Sequence, residues 1–98
     1  SMLSKDDILT TLKSMLPMLS SEYAVERIGL FGSFINGEES KDSDIDLLVT
    51  LDRPIGWKFF TLQILLEDTF GKKVDLTTEK GLRTELKQQI LETVEYVK

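Results

Sequence analysis

Two short apolar runs, VERIGLF at residues 25–31 and DIDLLVTL at residues 44–51, bracket a polar, glycine-bearing segment. Both runs read as strands, the first one buried, and the segment between them reads as a short helix followed by a loop. A strand, a compact polar excursion and a second strand tie this part of the chain into one sheet, and the remaining elements must be arranged around it.

Upstream, Ser4 is placed to cap a helix with Asp7 three residues on, an acidic relative of the capping box. Ile8, Leu9, Leu12, Met15, Leu16 and Leu19 then recur at helical spacing, and Pro17 is expected to kink or end that helix. Downstream, Arg53-Pro54 breaks the second strand. Residues 57–70, WKFFTLQILLEDTF, read as a helix apolar on more than one face, with Gly71 as its cap. KVDLT at 73–77 reads as a third strand. Leu82, Leu86, Ile90, Leu91, Val94 and Val97 form a stripe that predicts helix to the C-terminus and is expected to be mainly core.

The resulting order, αβαβαβα, implies an α/β (α+β) chain, a small mixed sheet covered by helices. Residues 1–98 are expected to make one domain, because a chain this short buries roughly 65% of its unfolded surface, enough for a single core. Ser1, ahead of Met2, reads as an addition to the natural start. Trp57, Phe59, Phe60, Leu62, Ile64, Leu65, Leu66 and Phe70 are expected to be mainly core, with a second apolar face left to feed an interface. Glu38, Glu39, Lys41 and Asp42 read as a solvated loop, and Tyr96 as a packed tyrosine.

Composition narrows the chemistry. The chain has no cysteine and no histidine, which removes thiolate nucleophiles, Cys/His zinc sites and serine–histidine triads. Acid–base work must fall to Asp, Glu, Lys or Tyr. The net charge of −5 argues against a long nucleic acid as partner, since a phosphate backbone wants a basic stripe. It leaves room for a single nucleotide carried by metal ions. No run approaches the ~20 apolar residues of a membrane span, and no signal peptide is evident, so a cytoplasmic protein is expected.

The site candidates lie where the two strands meet the segment between them. Asp44 and Asp46 are two apart on a strand, so their side chains share a face about 7 Å apart along the chain, while Ile45 points into the core. Paired carboxylates repel unless they are solvated or share a cation, and hard oxygen ligands without His or Cys suit Mg²⁺ or Mn²⁺. With ten residues between it and Asp44, Gly32-Ser33 ends the first strand. There glycine admits a phosphate close to the backbone, and the Ser33 hydroxyl adds a donor. Two-metal chemistry usually wants a third carboxylate on a neighbouring strand, and Asp75, flanked by Val74 and Leu76, is placed to supply it. The plain alternative is a solvated strand end, an ordinary turn and a strand-edge charge. Gly29, Gly32 and Gly37 do not spell a dinucleotide-binding fingerprint, and no G-K-[ST] marks a P-loop.

The run GLFGS, ten residues, DIDLLV closely resembles the minimal nucleotidyltransferases of the DNA polymerase β superfamily. The resemblance extends over nearly the whole chain, through KVDL to the closing ILETVEYV. It implies a polymerase β-like nucleotidyltransferase fold, with two Mg²⁺ ions on Asp44, Asp46 and Asp75. Asp75 would act as base, and Gly32 and Ser33 would contact the phosphates. It also implies an activity: transfer of AMP from Mg-ATP to a hydroxyl on a partner protein, in particular a HEPN toxin for which such proteins serve as antitoxin. Because larger relatives append an acceptor-binding domain, a partner or a second copy is expected to supply that surface. One departure stands out. Ile35-Asn36-Gly37 replaces the Ala-Arg-Gly that often follows the turn, and Arg53, Lys72 and Lys73 are the candidates to replace the missing charge. The departure motivates an alternative in which the chain neutralises its partner by occupying it. Transfer to a small molecule such as an aminoglycoside is a third reading, and it needs an acceptor pocket.

Overall fold

A computed structural model describes residues 3–98; Ser1 lies outside the described residues. Helix α1 (Lys5–Tyr23) starts on the expected capping box. The Asp7 N–H donates to Ser4 Oγ at 3.0 Å, and the Ser4 N–H donates to Asp7 Oδ2 at 3.1 Å. Pro17, expected to kink or end this helix, does not end it. It sits on the exposed side, and so does Lys13, whose carbonyl loses its helical donor there and can turn to water. The buried side is carried by Ile8, Leu12 and Leu19, all fully buried.

Strand β1 (Val25–Phe31) pairs antiparallel with β2 (Ile45–Leu51). The short helix α2 (Ser33–Asn36) lies between them, followed by a loop. Helix α3 (Lys58–Phe70) then carries the chain over to β3 (Val74–Thr77), which runs parallel to β2. A 3-10 turn at Glu79–Gly81 leads to α4 (Thr84–Thr93), and β4 (Glu95–Tyr96) pairs antiparallel with β1. The sheet order is β3-β2-β1-β4, a mixed sheet as expected.

Alternation along the strands divides the sheet into two faces. Ile28 and Leu30, Ile45, Leu47 and Val49, and Val74 and Leu76 share one face and pack with α1 and α3 into the core. Each such side chain, fully buried, contributes on the order of 1.5–3 kcal/mol. The other face carries Phe31, Asp46, Leu48, Asp75 and Thr77, with α4 laid against part of it.

The C-terminal region departs from the sequence reading. The last helix ends at Thr93, and the chain then turns into β4 on the free edge of β1. Gly29 makes this possible, because a Cβ there would lie 2.7 Å from Val94 Cγ2 and 2.8 Å from Tyr96 Cδ1. The stripe of α4 is also not core: none of its residues is buried, and Leu86 and Leu91 are exposed. On α3, Leu62 and Leu66 are core as expected, with Phe59, Leu65 and Phe70 packed partly against it. Trp57, Phe60 and Ile64 instead face outward, 85%, 57% and 57% exposed, because α1 and the sheet cover only one side of α3.

Candidate active site

Asp46 lies on β2 directly beside Asp75 on β3 and opposite Phe31 on β1. The parallel pairing of β2 and β3 therefore brings together two carboxylates that are 29 positions apart in the sequence. Asp44, expected on the strand, sits one residue before β2. It remains close enough to act on Asp46 electrostatically. Burial pushes the Asp46 carboxyl up to about 6, and the charges of Asp75 and then Asp44 add to the effect. Three anions around one half-buried position form a site that gains from a cation.

The donor set fits a hard divalent ion: carboxylate oxygens, no sulfur, no imidazole, and mutual repulsion for a positive charge to relieve. The carboxylates do not form a closed cage. Among the described residues, no group of three or more acidic side chains is gathered tightly enough to hold a metal ion. Asp44 and Asp75 are exposed and free to move toward one.

Gly32 and Ser33 lie where β1 ends, next to this face. Gly32 has φ +76° and ψ −145°, a conformation that only glycine adopts readily. A Cβ at this position would clash with the Asp46 carboxylate, so the turn and the carboxylate are fitted to each other. The Gly32 carbonyl accepts from the Ile35 N–H at 3.0 Å and the Asn36 N–H at 2.9 Å, which holds the turn closed. Asn36 itself is exposed at the far end of α2.

Two cavities flank Asp75. One, of about 240 Å³, is polar and is lined by Asp44, Gln63, Glu67, Lys73, Val74 and Asp75. The other, of about 170 Å³, lies under α4, where Phe31, Thr77, Leu86 and Ile90 accompany Asp75 and Arg83. This second wall was missed in the sequence because the stripe of α4 gives no sign of which face of the sheet it meets. The three candidate replacement cations separate clearly. Arg53 lines a cavity at the opposite end of β2. Lys72 donates from Nζ to the Lys41 carbonyl at 2.7 Å and ties down the loop before Asp44. Lys73 alone of the three lines a cavity shared with the carboxylates.

A four-stranded mixed sheet with two helices sealing one face, and a Gly-Ser turn beside paired aspartates on the other, is the architecture of a minimal nucleotidyltransferase. The family model for the nucleotidyltransferase domain matches residues 7–97, and the chain belongs to that family. It is 35% identical over 97 residues to the protein adenylyltransferase MntA of Thermococcus cleftensis, covering 98% of each chain. It is 36% identical over 95 residues to a Methanocaldococcus jannaschii protein assigned as a protein adenylyltransferase, covering 93% of this chain and 95% of that one. A solved structure assigned as a minimal nucleotidyltransferase superposes with a TM-score of 0.70 at 32% identity, over 89% of this chain and 93% of that one. The fold is also that of the MNT antitoxin found in complex with a tri-AMPylated HEPN toxin of Shewanella oneidensis. There the TM-score is 0.63 at 20% identity, over 92% of this chain and 71% of that one.

Proposed function

We propose that this nucleotidyltransferase transfers AMP from Mg-ATP to a hydroxyl on a partner protein, and that the partner is a HEPN-family toxin. The observation that carries the reading is the register of β2 and β3, which sets Asp46 beside Asp75 on the face that the Gly32-Ser33 turn adjoins. The naming of its relatives as protein adenylyltransferases supports the choice of AMP and of a protein acceptor. The MNT–HEPN complex supports the choice of partner.

In this reading Asp44, Asp46 and Asp75 hold two Mg²⁺ ions, which when bound stabilise charge on the attacking and leaving oxygens. Asp46, half-buried and fixed in the strand, anchors the set, and Asp44 approaches from the loop side. Gly32 lets the phosphates near the backbone, and the Ser33 hydroxyl donates to one of them. Asp75, exposed beside Asp46, accepts the proton of the acceptor hydroxyl. The acceptor oxygen forms a bond to the α-phosphorus, the bond from that phosphorus to the β-phosphate bridging oxygen breaks, and pyrophosphate leaves with the electron pair. Most of the rate gain comes from positioning.

Incubating the protein with ATP labelled at the α-phosphate, Mg²⁺ and a lysate of the source cell tests the reading. One labelled protein band is expected, absent when Asp44→Asn and Asp46→Asn are combined. No band above that control, with the partner shown to be present, would reject it. A second reading, neutralisation by occupancy, is favoured by Asn36 and by the exposed stripe of Trp57, Phe60 and Ile64. It requires the double variant to protect cells from the toxin as well as the wild type does.

A further inference from the structure

Lys73 stands two residues before Asp75, as Asp44 stands two residues before Asp46. The parallel pairing sets Ile45 beside Val74 and Asp46 beside Asp75, and the Ile45 N–H donates to the Lys73 carbonyl at 2.9 Å. Continuing that register by one step places Lys73 beside Asp44. Both residues stand one position before their strands, at the entrance to the pair that sets Asp46 beside Asp75. Lys73 and Asp44 line the same polar cavity as Asp75. Yet the ion pairs present among the described residues, Lys5–Glu95, Arg83–Glu85 and Lys87–Glu79, do not include Lys73.

A lysine that shares a cavity with Asp44, Glu67 and Asp75 and pairs with none of them is available to a ligand. With metal ions on the carboxylates, the remaining anion to be met at this face is the polyphosphate. We infer that Lys73 is a nucleotide-binding residue, which places its ammonium on a phosphate oxygen of the bound nucleoside triphosphate and supplies the charge that Asn36 does not. The inference rests on the nucleotidyltransferase reading above. Lysine suits the task as a compact, mobile point charge with three donors. Its place in the register means that the strand pairing which assembles the carboxylates also delivers the cation.

The test is calorimetric binding of a non-hydrolysable ATP analogue with Mg²⁺ to the wild type, Lys73→Gln, Lys73→Arg and Arg53→Gln. Arg53→Gln removes the same charge from a cavity at the other end of β2 and controls for the overall field. We expect Lys73→Gln to weaken binding about tenfold or more, Lys73→Arg to recover most of it, and Arg53→Gln to bind as the wild type does. Lys73→Gln should melt at the wild-type temperature, since its side chain is exposed. Equal weakening by Lys73→Gln and Arg53→Gln, or no weakening by Lys73→Gln, would overturn the inference and leave the functional reading standing. Failure of the wild type itself to bind would overturn both.

Discussion

Asp46 stores a cost that the folded chain carries for its site. Its carboxyl titrates at about 6, against 3.8 for an unperturbed one, so the native state holds the proton more tightly than the unfolded chain does. The linked stabilisation is present below about pH 4 and is lost as pH rises through 6. Without divalent cations, Asp46→Asn should therefore be more stable than the wild type at pH 7, by about 1 kcal/mol once solvent screening is allowed for. The advantage should vanish near pH 4. Melting curves of the two proteins across that range are the measurement, and a gap that stays constant with pH would contradict the assignment. The same residue limits its neighbour: Gly32→Ala would strain a glycine-only backbone and push against the Asp46 carboxylate. A loss of about 1–3 kcal/mol in stability is expected by urea titration, together with loss of transfer. The place of Asp46 on its strand and the Gly32-Ser33 turn were legible because a period of two and a bend are local signals, whereas Asp44 falls one residue short of the strand expected to carry it. The position of Asp75 beside Asp46 was inferred only as "a neighbouring strand", because sequence does not state the register between strands joined by a helix.

At the scale of elements, burial decides what each one contributes. Leu62→Ala on α3 removes a fully buried side chain and should cost about 2–5 kcal/mol, whereas Trp57→Ala at the exposed end should stay within about 0.5 kcal/mol. Chemical denaturation of the two variants distinguishes a core helix face from a surface one. Gly29→Val would drive a branched side chain into Val94 and Tyr96, and it should release β4 from the edge of β1. Faster proteolytic trimming of the last five residues, with the rest of the chain intact, would show it. Both helix caps and β1 were readable because capping residues and a buried apolar run act over a few positions. The C-terminal strand was not, because ILETVEYV satisfies a helical stripe and only the open edge of β1 selects extended backbone at Glu95 and Tyr96. Pro17 misled for a related reason: its effect depends on which side of α1 faces water.

In the whole molecule, the two faces of the sheet differ in how firmly they are held. One is sealed by α1 and α3, while the carboxylate face is met by α4, which has no buried residue. Hydrogen exchange should find α4 opening well before α1 and α3, at a free energy clearly below that of global unfolding. Exchange of α4 at the core rate would count against this division. The open face is where a nucleotide and an acceptor would have to enter, so looseness there is placed usefully.

The outer edge of β3 carries a different kind of consequence. Val74 turns its backbone away from β2, and two side chains of α3 meet it: its N–H donates to Glu67 Oε2 at 3.0 Å, and its carbonyl accepts from Gln63 Nε2 at 2.8 Å. At the opposite edge, β4 is only two residues long. At Val74 the edge is left without a free backbone donor or acceptor for a stray strand of another molecule. The helix that joins β2 to β3 thus also guards the sheet's border at Val74.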